Sequence, residues 1–218
     1  MNEPMKRGQS CPLVMRQNGR RSRTGLSALP VLLLACFASA GIAQTNTPTL
    51  VIYVSPSLRP AATNTGPQII TAVWNDGRIV WSQSPVGGGA PYREGRFEPD
   101  KLASLLDTLE GRGTFTNASL ARARVGPDSS STIIAIDDGR RRLRMRSWHE
   151  LFEQGTNLVV TSQGVEPLAG RNRQEVLEQQ PEDYRRMRQT WSEIRQGVAA
   201  LVPKAGEPFE GTIPIPRR

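Results

Sequence analysis

The chain has few of the residues that carry common catalytic and metal-binding chemistry. Its 218 residues include two cysteines and one histidine, and both cysteines, Cys11 and Cys36, lie before position 44. The rest of the chain therefore has no disulfide, no thiolate nucleophile and no cysteine-ligated zinc. Hydrophobic residues make up 37% and aromatic residues 6%, which is lean but enough for one core. We expect a single domain held together by packing.

Positions 1–43 have the three parts of a secretory signal. A basic stretch precedes an apolar run at 26–37, and small residues follow at 38–40 and 41–43. This order is typical of a cleaved leader, so we predict a signal peptide over 1–43. The basic residues are Lys6, Arg7, Arg16, Arg20, Arg21 and Arg23. Met15 is an alternative start that leaves a leader of ordinary length.

Two other interpretations of the leader stay open. Cys36 follows Leu33-Leu34-Ala35 and could be lipidated, although the residues after it remain apolar. The run 26–43 is also just long enough to serve as an uncleaved membrane anchor, although Pro30 argues against this. Export to the periplasm or the cell exterior is the prediction, and membrane contact would come only through the leader.

The charge balance depends on whether the leader is removed. The whole chain carries a net charge of +8, and loss of six basic residues and Glu3 with the leader lowers it to +3. A strongly basic domain would favour nucleic acid as a partner, and the mature balance argues against it.

Two Asp-Gly turns predict antiparallel hairpins. Asn75-Asp76-Gly77 lies between apolar runs at 68–74 and 78–82, and Asp137-Asp138-Gly139 lies between runs at 131–136 and 140–148. Asp before Gly suits the turn of a hairpin, where a positive φ is needed. Further strands are predicted at 51–54 and 158–161. We expect a tether over 44–50, one domain over 51–203 and a flexible tail over 204–218.

Helices are predicted from apolar residues at helical spacing. Pro99 suits the first position of a helix whose apolar face is Leu102, Leu105, Leu106 and Leu109, and Asn172 can cap a short helix. A longer helix begins at Pro181, and its apolar residues are spaced by three and four: Tyr184, Met187, Trp191, Ile194, Val198 and Leu201. Together these patterns predict an α+β fold, in which two or three amphipathic helices pack on one face of an antiparallel sheet built from hairpins.

His149 is the centre of the candidate enzymatic sites. On a helix, His149 and Glu153 would share one face at a spacing that can hold a metal, but a metal needs three or four ligands and the chain has no second histidine. A hydrolytic site could combine His149, Glu150, Asp128 and Ser129, yet the Gly-x-Ser-x-Gly turn is absent. We therefore favour an ordinary surface or partly buried histidine beside Trp148, and neither a metal nor a cofactor is predicted.

Five arginines between 140 and 146 form the densest charge cluster after the leader. On a strand, Arg142, Arg144 and Arg146 would point to one face, with Leu143 and Met145 on the other. Three guanidinium groups in a row could bind phosphate, sulfate or an acidic polysaccharide. We favour the other interpretation, the solvated face of a one-sided sheet whose charges are neutralised by Asp and Glu on neighbouring strands, because charge on the exposed face is the normal pattern.

Several motifs resemble those of a set of uncharacterised exported bacterial proteins. They are Pro91-Tyr92-Arg93-Glu94-Gly95-Arg96 with the helix after it, Gly126-Pro127-Asp128-Ser129-Ser130, and Ser147-Trp148-His149-Glu150-Leu151-Phe152. The resemblance spans about 76–201. It implies a bacterial envelope protein and carries no activity and no site residues.

Two hypotheses for the function follow. The first is a non-catalytic domain of the cell envelope that binds an anionic polymer, such as an acidic polysaccharide, or a partner protein. The second is a hydrolase or metal-dependent enzyme centred on His149. The single histidine and the missing catalytic motifs favour the first.

Overall fold

The computed structural model describes residues 47–55, 66–121, 130–147 and 157–215. The strands are β1 (Leu50–Ser55), β2 (Gln68–Val73), β3 (Arg78–Ser82), β4 (Tyr92–Arg96), β5 (Ser131–Asp137), β6 (Arg142–Ser147), β7 (Leu158–Val160), β8 (Val165–Pro167) and β9 (Glu207–Phe209). The helices are α1 (Pro99–Gly111), a 3-10 turn (Ala118–Ala121), α2 (Arg173–Glu178) and α3 (Glu182–Leu201).

Seven strands form one antiparallel sheet in the order β6-β5-β1-β2-β3-β4-β9. The two predicted hairpins, β2–β3 and β5–β6, are confirmed as adjacent antiparallel pairs. Gly77 shows why the first turn needs glycine: its φ is +83°, and a Cβ there would lie 2.4 Å from the carbonyl oxygen of Phe97. The predicted strand at 158–161 forms instead a separate two-stranded sheet, β7–β8.

One face of the large sheet is covered by α1 and α3, as the sequence predicts. Pro99 starts α1, and the Asn172 side chain caps α2 by accepting from the backbone N–H of Gln174. All six residues of the predicted apolar stripe of α3 are buried. They pack with Leu102, Leu106 and Leu109 of α1 against strand residues such as Ile52 and Ile134. The fold is therefore α+β with the helices on one side of the sheet.

The opposite face of the sheet, called the far face here, is also apolar. Eight buried residues form a second cluster on it, and we call this the far-face cluster: Val51, Tyr53, Ile69, Ala72, Trp74, Val80, Ile133 and Ala135. A β-bulge between β1 and β2 places Ile70 toward the helices and Ile69 on the far face. The expectation that this face is simply solvated is thus wrong for the middle of the sheet.

The residues after α3 differ from the flexible tail expected over 204–218. Glu207–Phe209 forms β9, which pairs antiparallel with β4, and Ile213 and Ile215 pack against the far-face cluster. Before β9, Gly206 approaches Trp81 so closely that a Cβ on it would lie 2.3 Å from the indole ring. At the other boundary, the expected tether ends early, because Leu50 is already a fully buried residue of β1.

Candidate functional site: the arginine row of strand β6

Strand β6 lies at one edge of the large sheet, with β5 as its neighbour among the described strands. Its side chains alternate: Leu143 and Met145 are buried in the core beneath the helices, whereas Arg142, Arg144 and Arg146 lie on the far face. We call these three the arginine row. The predicted alternation is therefore confirmed, and the structure brings all three candidate binding residues onto one surface.

Arg142 is the most exposed member of the row. Its side chain is 78% exposed, and its Nε lies 3.1 Å from Oδ2 of Asp137, the residue directly opposite on β5. Such an exposed ion pair contributes little to the free energy of folding, because water and salt ions compete for both of its charges. The pairing therefore leaves Arg142 accessible to another anion.

The partner of Arg144 among the described residues is aromatic. Its Nη2 donates to the Tyr53 hydroxyl oxygen at 2.7 Å, and its guanidinium carbon lies 5.9 Å from the centroid of the Tyr53 ring. Tyr53 itself is buried in the far-face cluster. This contact orients the guanidinium without neutralising its charge.

Arg146 is partly exposed and lies opposite Ile133 on β5. No carboxylate of the described residues forms an ion pair with it. The arginine row thus carries three positive charges and meets one acidic partner, Asp137, within the described chain. Counting only the residues that the structure describes, this partial pairing leaves the row with a net positive charge.

Arg141, which the sequence groups with the same cluster, turns toward the helices instead. Its side chain is 9% exposed and contacts three carboxylates: it donates to Asp107 and to Glu110 of α1, and lies 3.8 Å from Asp138. Burial alone would lower the pKa of Arg141, but the hydrogen bond to Asp107 and the three negative charges raise it. Arg141 therefore ties the β5–β6 turn to α1.

Arg78 of β3 also lies on the far face, and its neighbours engage it from several sides. The Nε atom of Arg78 lies 2.5 Å from Oε1 of Glu94. Its guanidinium carbon lies 4.5 Å from the centroid of the Trp74 ring and 5.5 Å from the centroid of the Phe209 ring. The carboxylate and the two rings hold Arg78 from several sides. Arg78 is therefore already engaged by its neighbours, unlike the members of the arginine row.

The contact between Arg144 and Tyr53 was missed by sequence reasoning. Tyr53 lies in β1 and Arg144 in β6, and the two strands are separated in the sheet by β5. No local pattern in the chain specifies that order. The division of the cluster between Arg141 and the arginine row follows from strand alternation, which the sequence does contain.

The candidate enzymatic residues lie outside the described residues. This applies to His149, Glu150, Asp128 and Ser129, and also to Cys36 in the predicted leader. Among the described residues, no group of three or more His, Cys, Asp or Glu side chains is placed to hold a metal ion. Within the same ranges, no helix is long and apolar enough to cross a membrane.

No family model, curated protein or solved structure matches the chain. The argument for its function therefore depends on the positions and charges of its own residues.

Proposed function

We propose that the protein is a non-catalytic, exported domain of the bacterial cell envelope that binds an anionic polymer through the arginine row. The observation that carries this proposal is the incomplete neutralisation of Arg142, Arg144 and Arg146, which meet one described acidic partner. The leader pattern in positions 1–43 supports export. The resemblance to exported bacterial proteins supports a place in the envelope.

The spacing of the arginine row suits a ligand with repeated charges. Alternate side chains on a strand lie about 7 Å apart, so the row presents three guanidinium groups along roughly 14 Å. A guanidinium donates two parallel hydrogen bonds to a carboxylate, sulfate or phosphate group. An extended polymer lying along β6 can therefore meet the groups in succession, whereas a small anion meets one of them.

The position of the row at an edge strand favours access. The Tyr53 contact holds Arg144 in place and so lowers the entropy that binding would otherwise cost. The same charges also oppose the pairing of this edge with another sheet. An anionic polymer can reach the open edge as a flexible chain, and its negative groups are attracted by the same charges that oppose the pairing of another sheet.

The proposal is tested by replacing the arginine row with glutamine. We expect the variant Arg142→Gln, Arg144→Gln, Arg146→Gln to elute from heparin-type resin at lower salt than the native chain, and its binding to a carboxylated or sulfated polysaccharide to weaken at least tenfold. Binding by the native chain should weaken steeply with salt, because salt screens exposed charges. The free energy of unfolding should change by less than about 1 kcal/mol.

A matched control separates the site from the overall charge. The variant Arg112→Gln, Arg171→Gln, Arg186→Gln loses the same three charges from elsewhere on the surface. We expect it to retain polymer binding within about twofold of the native chain. Equal losses in the two variants would reduce the effect to net charge and refute a site on β6. Preferential binding of a short DNA duplex would replace the proposed polymer with nucleic acid.

The export part of the proposal has its own measurement. We expect the mature chain to begin near Gln44, which N-terminal sequencing of the secreted or periplasmic form determines. A cytoplasmic product that still begins at Met1 or Met15 would contradict export while leaving the binding test unaffected.

A further inference from the structure

The backbone hydrogen bonds of strand β6 show which of its groups face the open edge of the sheet. In an antiparallel pair, alternate residues direct both their N–H and their C=O groups toward the neighbouring strand, and the residues between them direct theirs away. Two hydrogen bonds at the β5–β6 turn fix this alternation. The N–H of Asp138 donates to the carbonyl oxygen of Arg141, and the N–H of Asp137 donates to the carbonyl oxygen of Thr49, which lies just before β1.

The same alternation holds along the whole of β6. Because the backbone groups of Arg141 face Asp138, those of Leu143 and Met145 face β5. The three residues of the arginine row therefore direct their N–H and C=O groups outward. Within the described ranges, no further strand and no backbone hydrogen bond takes up these outward groups. The 3-10 turn near β6 buries its Leu120 in the core on the helix side, away from the far face.

The arginine row thus offers two kinds of contact at the same three residues. Its guanidinium groups lie on the far face, and its outward backbone donors and acceptors lie along the edge of the sheet. On an added strand, the residues directly opposite the arginines would carry their side chains on the far face too, with Cβ atoms about 5 Å from those of the arginines. Acidic side chains at those positions can form hydrogen-bonded pairs with the guanidinium groups.

We propose that the polymer bound by the arginine row is a polypeptide: an extended acidic segment of a partner protein that adds to the sheet as an antiparallel strand beside β6. This inference rests on the proposed function, since the same guanidinium groups supply the attraction. The repeat of the row favours a polypeptide over a polysaccharide, because alternate side chains of any β-strand recur about every 7 Å and stay in register with the arginines. A peptide backbone also offers a donor and an acceptor to the outward groups of the row.

The charge of the row determines which strands can pair here. A second copy of β6 would place arginines opposite arginines, and like charges directly opposite one another destabilise a pair of strands. A strand with an acidic residue at every second position is attracted instead. Its remaining residues lie on the side of Leu143 and Met145, which are buried in the helix-side core, and β-branched apolar residues suit such positions. The partner segment is therefore expected to alternate between acidic and apolar residues.

The binding test uses the peptide Thr-Glu-Val-Glu-Val-Glu-Thr, with a fluorophore at its N-terminus and an amide at its C-terminus. Its glutamates are spaced to stand opposite the arginine row. Fluorescence anisotropy should show saturable binding of one peptide per chain. The affinity should fall at least tenfold for the variant Arg142→Gln, Arg144→Gln, Arg146→Gln. A peptide with glutamine in place of each glutamate should also bind the native chain at least tenfold more weakly.

Two N-methylated peptides of identical charge separate strand addition from attraction alone. In the added strand, the N–H of the central glutamate faces β6 and the N–H of each valine faces away. N-methylation of the central glutamate should therefore weaken binding at least tenfold, because it removes a donor and places a methyl group against the edge. N-methylation of a valine should leave the affinity within about threefold of that of the parent peptide.

Two protein variants test the same hydrogen bonds from the other side. Arg144→Gln and Arg144→Pro lose the same charge and the same contact with Tyr53, but proline also removes the outward N–H. Proline is tolerated on an edge strand when its nitrogen faces away from the neighbouring strand, so both variants should keep the native circular dichroism. Peptide binding should be at least fivefold weaker in Arg144→Pro than in Arg144→Gln. Retention on heparin-type resin should be the same for both.

The possible negative results are distinguishable. Equal binding of the two N-methylated peptides would show that charge alone holds the peptide and would overturn strand addition. Binding of an acidic polysaccharide through the row, without any binding of the peptide, would overturn the inference and leave the proposed function intact. Unchanged heparin retention in the triple glutamine variant would overturn the proposed function itself. If Arg144→Pro does not fold, the N-methylated peptides still decide the question, because they leave the protein unchanged.

Discussion

Replacing Arg141 with methionine tests the ion cluster that joins the β5–β6 turn to α1. Methionine keeps much of the aliphatic volume of the side chain but removes the guanidinium. The three carboxylates around it, from Asp107, Glu110 and Asp138, then face one another without a buried cation. The change therefore isolates the electrostatic contribution of Arg141 from its packing.

The expected loss of stability follows from the exposure of each partner. Removing one member of a buried ion pair typically costs about 3–5 kcal/mol. The side chains of Asp107 and Glu110 are 67% and 45% exposed, so water replaces part of what they lose. Exposed pairs contribute at most about 1 kcal/mol. We therefore expect Arg141→Met to lower the free energy of unfolding by about 2 kcal/mol.

Urea denaturation of two variants at two salt concentrations measures this effect. Arg140→Met is the matched control, because Arg140 also pairs with Glu110 but its side chain is 67% exposed; its loss should be below about 0.5 kcal/mol. In 1 M salt, repulsion among the carboxylates is screened over about 3 Å, so the deficit of Arg141→Met should shrink. Equal losses for the two variants, or a deficit for Arg141→Met below about 0.5 kcal/mol, would refute the role assigned to burial.

Two further predictions concern the two sides of the sheet. Trp191→Ala should lower the free energy of unfolding by about 3–5 kcal/mol, because the ring is 4% exposed within the core; a loss below about 1 kcal/mol in denaturant melts would contradict that packing. Burial raises the pKa of Tyr92 above 10, against a smaller opposite effect of its hydrogen bond with the backbone of Ile69. A group whose pKa is raised in the folded state stabilises the protein at pH values below 10. This contribution is lost as the pH rises through the pKa of the group in the folded state. Tyr92→Phe should therefore lose less stability than the native chain in alkaline melts above pH 10, and parallel curves for the two proteins would show that Tyr92 does not titrate with folding.

The helices and hairpins were predictable because their signals are local. The spacing from Tyr184 to Leu201 matches the 3.6-residue period of a helix, and an Asp-Gly turn specifies a neighbouring antiparallel strand. The second apolar face was missed, although β1 is a continuous apolar run from Leu50 to Val54, a pattern typical of strands buried on both sides. That pattern predicts that other residues of the chain pack against the far face.

Other features depend on contacts between distant segments. Strand β9 has three residues, one of them Pro208, and so short a strand carries no recognisable period. The tie between Arg141 and α1 and the contact between Arg144 and Tyr53 both depend on the order of strands in the sheet. The hollows on either side of α3 likewise depend on where α2 and β3 come to lie beside that helix.

The strand order has a consequence for the folding rate. Hairpins β2–β3 and β5–β6 need only short loops, but β1 lies between β2 and β5, so Leu50 pairs with Ile136 across all of β2, β3, β4 and α1. At the edge of the sheet opposite to β6, strand β9 pairs with β4, and the paired residues are even farther apart in the chain, as in Arg93 with Pro208. The entropy of closing such loops is lost before their contacts form. The sheet therefore assembles on a timescale of roughly milliseconds to seconds. Its apolar central strand, β1, is fully paired only after β5, a distant segment of the chain, has come to lie beside it.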